Sequence, residues 1–67
     1  MSDEALRALQ KEVSQKKRIA TDWAAQIHDL VEDRLLSDYA ALPELALRTH
    51  EACLAWAEAK ARLDRAG

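Results

Sequence analysis

A chain of 67 residues with 12 acidic and 10 basic side chains, a net charge of −2 and a pI near 5.6 has room for one small domain. That balance also argues against the usual basic nucleic-acid binder. The single Cys excludes an internal disulfide, and no apolar run approaches the roughly 20 residues of a membrane span. With a charged opening, MSDEALRALQ, in place of a secretion signal, these features lead us to expect a protein of the reducing cytoplasm. Helix formers dominate, whereas β-branched residues are limited to two Val, two Ile and two Thr, so the chain reads as all-α.

The first helix is expected over about residues 3–36. Ser2 or Asp3 can cap it, and Asp3 and Glu4 suit its positive end. Its apolar stripe at heptad spacing is Leu6, Leu9, Val13, Lys16, Ala20, Trp23, Ile27, Leu30 and Arg34. A bend follows over about 37–42, where Ser37 and Asp38 favour caps and turns and Pro43 suits a first helical turn. The second helix is expected over about 43–65, with the stripe Leu42, Leu45, Thr49, Ala52, Trp56, Ala59 and Leu63, and with Gly67 where a C-cap glycine sits. Folding the chain about Tyr39 sets Ile27 level with Ala52 and Trp23 level with Trp56 in an antiparallel hairpin. The longer first helix then overhangs by about ten residues, leaving Leu6 and Leu9 in need of cover.

A second apolar face remains on each helix. It carries Ala24, His28, Val31 and Leu35 on the first and Ala46, Leu47, His50, Cys53, Leu54, Ala57 and Ala61 on the second, both on one side of the hairpin. The opposite side is charged, as a solvated face should be. A hairpin with two apolar faces is half a structure, so two copies packed through Ala24, His28, Val31, Leu35, Leu47, His50, Cys53 and Leu54 are expected to form a four-helix bundle. A different chain covering that face is the alternative.

Four groups of residues invite a chemical reading. His28 and His50 fall near one level of one face, with Glu32 one turn beyond His28. Imidazole and carboxylate together suit a divalent transition metal, but neither helix carries a three-ligand spacing such as HExxH, and an interface histidine is the plainer reading. Asp29, Glu32 and Asp33, with Asp38 beyond, could in principle supply an acid–base pair. A two-helix hairpin has little room for a cleft, however, and the acids read as a solvated edge or a docking patch for a basic surface. Lys11, Lys16, Lys17 and Arg18, joined by Lys60, Arg62 and Arg65, make the opposite end of the rod basic, an arrangement that can steer and orient a partner. Tyr39 in the bend either caps the core or projects as an anchor for a partner. The plain reading of Trp23 and Trp56 is core packing, and that of Cys53 a small buried hydrophobe.

Two stretches, HDLVED at His28–Asp33 and LPELALRTHEA at Leu42–Ala52, resemble the Rop-like family of small bacterial helical proteins encoded in nitrogen-fixation gene clusters. The aromatic in the bend is here Tyr39. Two positions depart from the family pattern: Arg34-Leu35-Leu36 stands where Leu-Pro often follows the acids, and His50 where an aromatic follows Thr49. The resemblance implies a dimerising hairpin accessory to nitrogen fixation and supplies no biochemical activity; we expect no catalysis. Its expected partner is nitrogenase or a protein of nitrogenase assembly or electron transfer, held through Asp29, Glu32, Asp33 and Tyr39. No cofactor is expected. The competing expectations are a metal-binding or metal-delivery protein using His28, His50 and Glu32, and an RNA-binding hairpin dimer like Rop itself. The second is disfavoured because Glu12, Glu58 and Asp64 interrupt the basic end.

Overall fold

Helix propensity is realised almost end to end. The computed structural model describes residues 2–66, and in it α1 spans Asp3–Asp33, a short α2 Leu35–Asp38, a 3₁₀ turn Tyr39–Ala41, and α3 Leu42–Ala66. The result is an all-α hairpin, a rod of 51 × 15 × 11 Å whose long helices α1 and α3 pack antiparallel. The Ser2 hydroxyl accepts a hydrogen bond from the Ala5 amide at 3.2 Å, and Asp3 and Glu4 follow in the first turn near the positive helix end. The expected C-cap at Gly67 lies outside the described residues.

The first helix stops three residues short of its expected end. Arg34 leaves helical geometry at φ −137°, ψ 19°, although its amide still donates to the Leu30 carbonyl at 2.8 Å. The Arg34 carbonyl then accepts from the Asp38 amide at 2.8 Å and from the Ser37 hydroxyl at 3.2 Å. The Arg34 guanidinium closes the same turn on Asp38 at 3.0 Å. Asp38, at φ −120°, ψ 13°, makes the second break before the 3₁₀ turn. Two residues near the sparsely populated bridge region thus reverse the chain, with no positive φ among the described residues. Apolar Leu35 and Leu36 made the helix look continuous, but Ser37 and Asp38 offer the backbone and Arg34 local partners that a continuous helix would not use. Pro43 sits in the first turn of α3, where its missing N–H leaves no bond unmade.

The heptad stripes form the seam. Leu30, Ala52 and Ala59 are buried, and every other stripe residue except Arg34 is half-buried. Thr49 satisfies its hydroxyl on the Leu45 carbonyl at 2.8 Å, which lets a polar residue sit there. The level of the two helices differs from a fold about Tyr39. Arg62 pairs with Glu12 rather than reaching the level of Lys17, and Leu9 shares a cleft with Arg62, Arg65 and Ala66. Because α1 ends early and residues 34–41 coil into compact turns, α3 lies about one turn closer to the start of α1. That shift shortens the overhang, so Leu6 and Leu9 are half-buried within the chain itself.

The seam generates two expectations. Leu30→Ala removes the one large fully buried side chain and is expected to cost about 2–5 kcal/mol in urea denaturation followed by tryptophan fluorescence. A Glu12/Arg62 double-mutant cycle is expected to give at most about 1 kcal/mol of coupling, since both side chains stay more than a third exposed. That coupling should fade in 1 M salt, where screening acts within about 3 Å.

Candidate functional site

The Glu12–Arg62 pair settles which edges of the helices meet. Both residues occupy the position just before a stripe residue, so these edges lie together on one flank of the seam. The edges just after the stripe residues Trp23, Leu30, Leu45 and Ala52 therefore meet on the other flank: Ala24 and Val31 from α1 with Ala46 and Cys53 from α3. His28, His50, Leu47 and Leu54 continue that flank outward. All are exposed in the single chain, with Val31 at 48%, Leu47 at 50% and Leu54 at 57%. Toward the open end the same flank turns polar through Thr21, Lys17, Ser14 and Gln10. Leu35 joins this flank differently from expectation. It belongs to α2, beyond the break, and is not placed by the periodicity of α1. Cys53 is exposed rather than buried, because nothing within one chain covers this flank.

The bend end has its own relief. The break at Arg34 opens a notch of about 370 Å³ lined by Val31, Glu32, Asp33, Arg34, Leu35, Leu36 and Ser37. Leu36 stands 88% exposed beside it, and Tyr39 is 63% exposed nearby, so the tyrosine projects and does not cap the core. The signal for Leu36 was present in the sequence as a second leucine directly before Ser-Asp, but it read as the last turn of a longer helix. Around the notch, His28 lies 3.8 Å from Asp29 and 3.4 Å from Glu32. The last turn of α1 contains no basic residue, so its carboxylates adjoin the negative end of the helix without compensation. The one guanidinium at hand, that of Arg34, is held by Asp38.

The metal reading requires His28, Glu32 and His50 to converge. The structure brings His28 and Glu32 together but, among the described residues, no group of three His, Cys, Asp or Glu side chains that could hold a metal ion. His50 stands apart on α3. Two ligands on one exposed helix turn make a weak site, short of the three or more that zinc sites use. The RNA reading meets a similar obstacle. Arg62 is engaged by Glu12 and Glu58, Lys60 by Asp64, and Arg48 by Glu44 and Glu51, so three of the four cations of α3 serve carboxylates of the chain itself. The Trp56 indole N–H is buried without an acceptor among the described residues, in keeping with a packing role in the seam. None of the described helices is long and apolar enough to cross a membrane.

Comparison with known proteins agrees with this architecture. No curated protein and no solved structure matches the chain. The family model described as Rop-like matches residues 4–67, which takes in both long helices and the reversal between them. By that match over nearly its whole length, the chain belongs to the Rop-like family.

Proposed function

We propose that the protein is a small non-catalytic adaptor of nitrogen fixation, a homodimeric four-helix bundle that works by holding a protein of the nitrogenase system. The observation that carries this reading is the exposure of Val31, Leu47 and Leu54 on one flank, with Ala24, Ala46 and Cys53 between them. Such a contiguous apolar face on a hairpin with so few buried side chains gains most from a second copy, since each copy presents the same patch to the other. With that flank used for assembly, the acidic bend bearing Asp29, Glu32, Asp33 and Tyr39 is left for a partner. Membership in the Rop-like family supports the hairpin-dimer part, and the gene neighbourhood implied by the resemblance supports the setting. Nitrogenase, an assembly factor and an electron carrier are the candidate partners.

Sedimentation equilibrium is expected to return twice the 7.5 kDa chain mass, and a Val31→Asp/Leu54→Asp variant should return the single mass while keeping its helical circular dichroism. A single mass for the unaltered chain at micromolar concentration would end the homodimer reading. Affinity capture with cross-linking from nitrogen-fixing cells should recover a nitrogenase-system protein cross-linked near the bend. Reversal of Asp29, Glu32 and Asp33 to lysine should abolish that capture without changing the sedimentation mass. Unchanged capture by the reversed variant would remove the acidic bend from the account.

A further inference from the structure

We propose that the notch at the helix break is the docking site for a cationic amphipathic helix of a partner protein, with one apolar anchor side chain entering the notch and Lys or Arg residues on adjacent turns meeting its acidic rim. This rests on the adaptor reading above and specifies the chemistry of the partner.

Three features of the notch select this occupant. Its open apolar contact is Leu36, almost entirely in water, whereas Val31 and Leu35 at its inner edge belong to the flank that the second copy covers. A leucine held out in this way on an ordered turn gives up nothing when a second apolar side chain covers it. The surrounding charge is one-sided. From His28 to Asp38 the chain carries four carboxylates and one guanidinium, and that guanidinium is committed to Asp38. Finally, the carbonyl end of α1 points its partial negative charge at the same place with no cation in its last turn. Helix ends are normally compensated there by Lys, Arg or His, so the site carries an electrostatic deficit that a partner cation would relieve. His28 offsets this little, lying across Asp29 and Glu32 while remaining 74% exposed. An anionic segment, a nucleic acid or an acidic lipid surface would meet like charge here.

A second occupant deserves its own arm of the test, because the chain has a basic end. The cations Lys11, Lys16, Lys17 and Arg18 of another copy could seek the same rim. That end presents one exposed apolar side chain, Ile19 at 44% beside Arg18, half the exposure of Leu36, while Leu6, Leu9 and Val13 are half-buried in the seam of their own hairpin.

The probe is a synthetic amphipathic helix of leucine and lysine, titrated into the isotope-labelled full chain and followed by amide chemical shifts. Shifts are expected to concentrate between Val31 and Tyr39 and to weaken as salt shortens the screening length from about 10 Å at 0.1 M toward about 3 Å at 1 M. A leucine–glutamate helix should produce none. Glu32→Lys/Asp33→Lys and, separately, Leu36→Ser should each weaken binding by about tenfold or more, a loss of about 1.4 kcal/mol. These positions are exposed, so the variants should fold, as circular dichroism will report. Shifts centred on Leu47 and Leu54, or unchanged affinity in either variant, would overturn the proposal. A change of sedimentation mass in either variant would assign the notch to a second copy instead. Cellular capture that persists in Leu36→Ser would sink the notch and leave the adaptor reading standing. Peptide binding at the notch with no cellular partner at all would do the reverse.

Discussion

A single seam between two helices can enclose only the side chains along its centre, and every other feature of this protein follows from that limit. Among the described residues three, Leu30, Ala52 and Ala59, are buried. Two of them are alanines, which bring the helices close but bury little area each, so the seam contributes modest hydrophobic stabilisation for its length. Both tryptophans reach the seam yet remain only half-buried. A chain of this size is ordinarily marginal without a second source of burial. The exposed flank of Val31, Leu47 and Leu54 is where that source would come from, and the Glu12–Arg62 contact on the opposite flank orients both helices to present it together.

The reversal between the helices does more than connect them. Arg34 and Asp38 turn the chain without a glycine or a positive φ among the described residues, using a hydroxyl, a backbone carbonyl and one ion pair in place of conformational freedom. The break arises without proline, through the hydrogen bonds and ion pair among Arg34, Ser37 and Asp38. Ending α1 early has two structural consequences. It lets α3 slide toward the start of α1, covering Leu9 with its last turn, and it leaves Leu36 and Tyr39 projecting beside a notch.

Charge is distributed along the rod in a way that separates tasks. On α3, Arg48, Lys60 and Arg62 each sit one turn from a carboxylate and pair with it within the chain. At the end of α1 the carboxylates lack such neighbours, apart from His28 and the already engaged Arg34. Exposed ion pairs contribute little to stability, so the pattern matters chiefly for what the surface attracts and repels. An acidic bend with an exposed leucine at one end and a largely self-compensated helix along the side give the molecule a polarity that a featureless bundle would lack.

Helix content, the stripe residues and the antiparallel hairpin were legible in the sequence because they depend on propensity and on a 3.6-residue period, both local properties. The acids around His28 and the apolar character of Val31, Leu47 and Leu54 were legible for the same reason. The level at which α3 packs was not, because it depends on where α1 stops, and the stop at Arg34 is decided by competing hydrogen bonds among residues 34, 37 and 38 that composition does not rank. Leu36 reads as the last residue of the first helix and lies beyond its break, open to water; Leu35 reads as part of α1 and lies beyond its break; His50 reads as a partner of His28 and Glu32 and does not join them. Sequence alone therefore determined which faces of the chain are apolar, acidic or basic, since side-chain chemistry and helical period are written residue by residue. Tertiary structure decided which of those faces is spent on the seam and which remains open, because that choice belongs to the packing of one helix on another.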